Sequence, residues 1–282
     1  MSARRLALLA SATILLAAGC SSAPSSDAGP ATPSASAAAE TYEPKAGSCL
    51  KVLGDLDKPA QDRQADKVVS CTESHDLQIV GAGTLDQGPT TDAMDKAYQD
   101  CDGMARRFLH EDWRNGKLEI GVFHTKSASR SDGVRWWECA LIPYYAYDSP
   151  NSTDQDLSGG IPAKLRYGCQ TLNEVNGKLA DIHDVACSTP HQAEYTGAIV
   201  MPVGTKYPTD AASWKSIHTR CRAVVAAYVG VSKSYPDMDI YSEPLRTRDD
   251  WAKRRDVRCF IYLWPKKMTG SAKGTHGKGV PW

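Results

Sequence analysis

The sequence predicts an α+β fold of two tandem modules, each an antiparallel sheet with one packed helix, held by disulfides. Three observations predict it. Eight cysteines fall into two sets of four that keep order and approximate spacing: Cys49, Cys71, Cys101, Cys139, then Cys169, Cys187, Cys221, Cys259. The stretch Val185–Gly197 reads as a stronger version of Val69–Gly81: in both, a His follows the Cys at the fourth position and a Gly at the tenth. Each half then continues with one helical apolar stripe and two β-rich runs, which is one module of about 90 residues repeated.

Residues 1–19 read as an export signal. Arg4 and Arg5 precede the apolar run Leu6–Ala18, which is too short for a stable membrane span. The run ends Leu-Ala-Ala-Gly before Cys20 and resembles a bacterial lipobox, with Ala17 where Leu is usual. That resemblance implies a lipidated Cys20 as the mature N-terminus; plain secretion is the alternative. The expected location is the cell membrane, lipid-anchored, on its extracytoplasmic face. Residues 20–43, mostly Ser, Ala and Pro, cannot bury enough apolar surface to order themselves and read as a flexible tether.

Module 1 is expected over residues 44–147 and module 2 over 164–265. In module 1, Val68–Cys71 and Asp76–Thr84 read as strands. Thr91 or Asp92 is placed to cap a helix whose stripe is Met94, Ala97, Tyr98, Cys101, Met104, Ala105 and Phe108. Leu118–Phe123 and Val134–Ile142 close the module as strands. In module 2, Ala193–Val203 is the matching strand. Asp210 or Ser213 caps a helix with the stripe Ile217, Cys221, Val224, Val225 and Tyr228, and Gly230 ends it. Met238–Tyr241 and Val257–Trp264 follow as strands. Residues 148–163, with Asp148, Asp154 and Asp156, read as a solvated linker rather than a calcium loop, because the ligand spacing and closing Glu are missing. The lysine- and glycine-containing residues 266–282 read as a flexible tail.

Cysteines in even number in an exported chain point to disulfides, and eight allow 105 pairings. The repeat narrows the choice: if each module closes on itself, the simplest scheme is Cys49–Cys71, Cys101–Cys139, Cys169–Cys187 and Cys221–Cys259. The equal last gaps single out the second and fourth pairs.

Function classes narrow by exclusion. Once the signal is removed, 31 basic residues face 33 acidic ones (33 less Arg4 and Arg5), a balance that argues against a general nucleic-acid binder. Cys-x3-His at His75 and His191 has the look of a metal half-site or a nucleophile pair, but both need free thiolates. Each His is therefore expected to start a strand and bond a nearby backbone group. The G-x-S-x-G and S-x-x-K signatures are absent. His110-Glu111 lacks the second ligand of a zinc protease, since position 114 is Arg. Gly81-Ala-Gly83 has Asp86 where a dinucleotide site needs Gly. No catalytic residue, metal or cofactor is expected. Trp136, Trp137, Tyr144, Tyr145, Tyr147, Tyr241, Trp251, Tyr262 and Trp264 cluster at the module ends; core is their default, with any exposed ones forming a binding platform.

The second copy resembles the septum formation family, found in secreted and membrane-anchored proteins of Gram-positive actinobacteria. The residues that carry the resemblance are Val185-Ala-Cys187-Ser-Thr-Pro190-His191, Glu194, Gly197, the helix Cys221–Gly230 and the run Trp251–Cys259. In the first copy His75 and Gly81 are kept, while Ser74, Gln78 and Ser131 stand where the family has Pro, Glu and Trp. The resemblance implies a tie to cell division and transfers no catalytic residue. The expected function is a non-catalytic envelope lipoprotein that binds an extracytoplasmic protein or cell-wall partner. The alternative is a cell-wall-acting hydrolase with a carboxylate site that its sequence does not reveal.

Overall fold

The computed structural model describes residues 44–53, 56, 66–85, 90–124, 135–145, 149–175, 178–232, 240–244 and 248–281. The signal, Cys20 and the tether lie outside these residues, as do Asp86, Ser131, Tyr147 and Asp148. The elements are β1 (Cys49–Lys51), β2 (Lys67–Val69), β3 (Leu77–Thr84), α1 (Thr91–Leu109), β4 (Leu118–His124), β5 (Trp136–Tyr145), β6 (Ser149–Pro150), β7 (Cys169–Val175), β8 (Lys178–Val185), β9 (Ala193–Val200), α2 (Ala211–Val229), β10 (Ile240–Pro244), α3 (Arg248–Lys253) and β11 (Asp256–Tyr262).

Two antiparallel sheets result. The first runs β2-β1-β3-β5-β4, with β6 beside β5; the second runs β8-β7-β9-β11-β10. Replacing each first-half strand by its counterpart turns one order into the other. Each sheet carries one long helix, α1 or α2, on a face. The first helix is capped by Thr90, whose hydroxyl accepts from the Ala93 amide, one residue before the expected cap. The second is capped by Asp210, with Ser213 completing a capping box, and ends at Gly230 with φ +84°.

The strands β1, β7 and β8 were not among the sequence expectations. The first has only three residues, and β7 and β8 alternate apolar with polar or charged side chains too loosely to stand out. The dipeptide Asn176-Gly177 between β7 and β8 is the hairpin signal that finds them.

All four disulfides join the expected pairs, at sequence separations of 22, 38, 18 and 38 residues. On the chain-entropy account each contributes roughly 3–4 kcal/mol.

Two expectations are corrected. The expected linker 148–163 is not solvated over its described residues 149–163: Leu157 and Ile161 are buried in the first half's core beside Leu109 and Trp113, and so is Leu165 just beyond it, at the expected start of module 2. Residues 266–281 are not a flexible tail: Met268, Ala272 and Val280 are buried against Val225, Val229 and Ile261. Apolar residues spaced four apart in 149–165, and spread among glycines in 266–281, carry too weak a periodicity to be read as packed chain.

The two halves also meet, and residues 41–282 form one compact unit. Trp113 is fully buried and holds its indole N–H to Asp102 at 2.9 Å. Arg114, Arg254 and Arg258 lie over its ring at 4.3, 5.6 and 5.8 Å. Arg258 donates to the Leu118 carbonyl at 2.7 Å, Arg254 pairs with Glu119, and Lys117 pairs with Asp184. Tyr195 from β9 donates to the Arg114 carbonyl at 2.9 Å and stacks on Tyr167.

Candidate functional site

The two copies of the Cys-x3-His motif build the same structure twice. After each Cys the chain turns, closed by Glu73 N–H to Ser70 O in the first half and Thr189 N–H to Ala186 O in the second. The turn carries the chain to a His that is fully buried. His75 Nδ1 faces the Glu73 carbonyl at 2.8 Å, and His191 Nδ1 faces the Thr189 carbonyl at 2.7 Å. Each ring therefore fastens its own turn, as a carbonyl two residues back allows. Ser74 stands in the place of Pro190 without changing the turn.

Each His backbone also receives the segment that follows the last strand of its half. His75 exchanges hydrogen bonds with Thr153 at 2.9 and 2.8 Å, and His191 with Met268 at 3.0 Å both ways. Three residues beyond each His, a side chain secures the same segment four residues further on. Gln78 Oε1 accepts from Leu157 N–H at 2.7 Å, and Glu194 Oε2 accepts from Ala272 N–H at 2.8 Å. Glu194 Oε1 accepts from the Tyr228 hydroxyl at 2.6 Å and from Ser271. Burial first, and then this carboxylate, push the Tyr228 phenol above its ordinary value. Residues 153–157 and 268–272 are thus equivalent closing segments.

The motif glycines mark where helix meets sheet. Gly81 pairs with Cys139 across β3 and β5, and Gly197 with Cys259 across β9 and β11. A methyl group at Gly81 would collide with Met104 Sδ, and one at Gly197 would meet Val224 at 2.9 Å. Bare backbone at these points lets α1 and α2 approach closely enough for Cys101 and Cys221 to reach the strand cysteines.

A comparison with protein-family profiles matches residues 86–259 to the family described as Septum formation. That is more than half of the chain. The chain belongs to the septum formation family. Membership points to a role related to cell division. The match is a single one that runs through both halves, from ahead of α1 to Cys259, rather than one per module. It therefore includes the junction at Trp113 and Tyr195. Neither the curated proteins nor the solved structures contain a match.

The family motif residues have structural work in this fold. Trp251, buried, donates its indole N–H to the Thr205 carbonyl at 2.8 Å and meets the Tyr207 ring edge-on, at 5.9 Å between ring centroids. It pins the connection between β9 and α2. Val203 and Lys206 in that connection remain exposed. Pro190 sits exposed in the turn before His191.

Chemical competence can be tested group by group. Cys169 Sγ, Cys187 Sγ and a Glu194 oxygen lie within 4.8 Å of one another. Both sulfurs are spent on one disulfide and the carboxylate accepts three hydrogen bonds, so the set offers a metal no thiolate. Asp102, Asp112 and Asp256 converge on Arg114 at 2.6, 3.0 and 3.4 Å. Burial opposes the Arg114 charge, and Asp256, Asp102 and Asp112 outweigh it, so the guanidinium is held above its ordinary value. This is a neutralised ion cluster rather than an acid and base held apart. Trp136, Trp137 and Tyr144 are buried, so they serve as core and not as a platform; Tyr262 and Trp264 are half-buried. Sequence reasoning placed Tyr228 only on an apolar stripe, without its bond to Glu194, and missed Ser271 and the Arg114–Arg254–Arg258 set, because their partners lie far along the chain.

Proposed function

We propose that the protein is a non-catalytic envelope protein, anchored through lipid on Cys20, that binds an extracytoplasmic partner during cell division. One observation supports this reading most. The groups of the family motif that have chemical potential are held in structure: the cysteines in disulfides, His75 and His191 by Nδ1 to their turns with Nε2 buried, Glu194 to its closing segment. What such a scaffold presents is shape and surface charge. The shared strand order, the paired disulfides and the equivalent closing segments support reading the two halves as copies of one module that now fold as a unit.

The test is to image a tagged protein in its own cells beside a Cys20→Ala form, and to incubate the purified chain with cell-wall polymer. Enrichment at septa that depends on Cys20, with no release of wall fragments, is expected. Even distribution over the envelope would remove the division role, and release of soluble wall fragments would overturn the non-catalytic reading.

A further inference from the structure

The near-neutral total charge hides an uneven distribution. Residues 20–163 hold 13 Lys and Arg against 22 Asp and Glu, and residues 164–282 hold 18 against 11, giving −9 and +7. The two long helices differ in the same sense. On α1, Asp92, Asp95, Asp100 and Asp102 accompany Lys96, Arg106 and Arg107, and ion pairs join Lys96 to Asp100 and Arg106 to Asp102. The second helix has no acidic residue. Its exposed Lys215, Arg220 and Arg222 have no ionic partner among the described residues, and neither does Lys206 just ahead of it. At the other end of α2 the closing segment adds exposed Lys273 and Lys278. That segment is fastened there by Gly274 N–H to Tyr228 O at 2.9 Å and His276 N–H to Val229 O at 2.8 Å.

The connection that carries Lys206 also holds an apolar side chain outward. Val203 is 82% exposed, in the connection that Trp251 pins through Thr205. A single charge run on a helix is ordinarily a solvated face. Here the cations have no ionic partners among the described residues and span the helix and its flanking segments, and Lys206 shares its connection with exposed Val203.

We infer that this face of the second half, α2 with the β9–α2 connection, docks on a bilayer containing anionic phospholipid. The phosphates complement Lys206, Lys215, Arg220 and Arg222, and Val203 enters the apolar layer beneath them. A soluble polyphosphate would satisfy the cations but gain nothing from Val203, and on that ground lipid is favoured. The inference does not depend on lipid at Cys20.

The test uses the unlipidated chain Ser21–Trp282, sedimented with vesicles of phosphatidylcholine alone or with about a quarter phosphatidylglycerol. Binding is expected only to the anionic vesicles, and it should weaken several-fold from about 50 to about 300 mM salt. Neutralising a cation near an anionic surface is expected to lower the partition coefficient about fivefold. The triple change Lys215→Gln, Arg220→Gln, Arg222→Gln should therefore lower it on the order of 100-fold, with Lys96→Gln on α1 unchanged. Val203→Ser should lower it further. Equal binding to both vesicles, or a triple variant that binds like the parent, would overturn the inference. So would retention by a soluble glycerol-phosphate polymer together with no preference for anionic vesicles, which would make a polyanion the occupant.

Discussion

Met268 lies opposite His191, and their backbones exchange two hydrogen bonds of 3.0 Å. The pairing makes the last residues of the chain a working part of the second half. Deleting residues 266–282 removes Met268, Ala272 and Val280 from the core and takes the Ala272 and Ser271 donors from Glu194. Lost burial and an orphaned carboxylate together should cost roughly 4–7 kcal/mol. Thermal unfolding of the truncated chain should show a large fall in Tm; an unchanged Tm would restore the view of a free tail.

Glu194 can be separated from its charge. Its counterpart Gln78 does the same work as a neutral amide, accepting from Leu157 N–H through Oε1. Glu194→Gln keeps an acceptor for Ala272 N–H, and the Tyr228 and Ser271 hydroxyls can turn to accept from the amide. It should cost no more than about 1 kcal/mol, whereas Glu194→Ala, which strands the buried Ala272 donor, should cost roughly 2–4 kcal/mol. Urea unfolding of the two variants checks the difference. Equal losses would mean that the negative charge itself matters.

The two motif glycines should not respond alike to a methyl group. Gly197 has φ +147°, a conformation L residues rarely adopt, and an added Cβ would press on Val224 at 2.9 Å. Gly197→Ala should cost roughly 2–4 kcal/mol. At Gly81 the obstacle is Met104 Sδ, part of a long side chain that can swing aside. Gly81→Ala should cost about half as much or less. Denaturant midpoints measured side by side give the ordering, and the reverse order would contradict this account of helix approach.

Much of this was legible in the sequence because it depends on local spacing. Cysteine gaps gave the pairing, and apolar stripes with Asp210 and Gly230 placed α2 nearly to the residue. What escaped depends on residues far apart. Nothing near Arg114 announces Asp256, and nothing near Leu157 announces Gln78. The cation face of α2 was hidden for a different reason: a chain-wide charge sum cancels the acidic first half against the basic second. The halves were expected to be independent because residues 148–163 look like linker by composition, yet the chain there uses its few apolar residues to close the first core.

Arg114 tests that union. It is buried, and removing it leaves Asp256, 3% exposed, and Asp102 with less positive charge than they need. Arg114→Met should destabilise the chain by roughly 3–5 kcal/mol, and pairing it with Asp256→Leu should recover part of the loss. A double-mutant cycle in urea measures the coupling. Unfolding should stay a single transition in the parent chain. Two separated transitions there would show that the halves are independent after all.

Acid should weaken the first half through a group the second lacks. Asp76 accepts from Lys51 at 2.8 Å, Ser152 at 2.5 Å and the Val52 amide at 2.8 Å, and so ties β1 to the closing segment. In the second half Gln192 takes that place, accepting from the Leu172 amide at 3.2 Å. Burial alone would raise the Asp76 pKa, but the bonds from Lys51, Ser152 and Val52 outweigh it and hold the carboxyl below its ordinary value. A depressed folded value means the stabilisation is complete above the unfolded value, about pH 4, and is lost as pH falls through the lowered one. Asp76→Asn should therefore be less stable than the parent at pH 7, and the gap should close as pH falls below the ordinary carboxylate range and through the lowered value. Stability measured across that range decides it, since a gap independent of pH would place the effect in packing rather than in the charge.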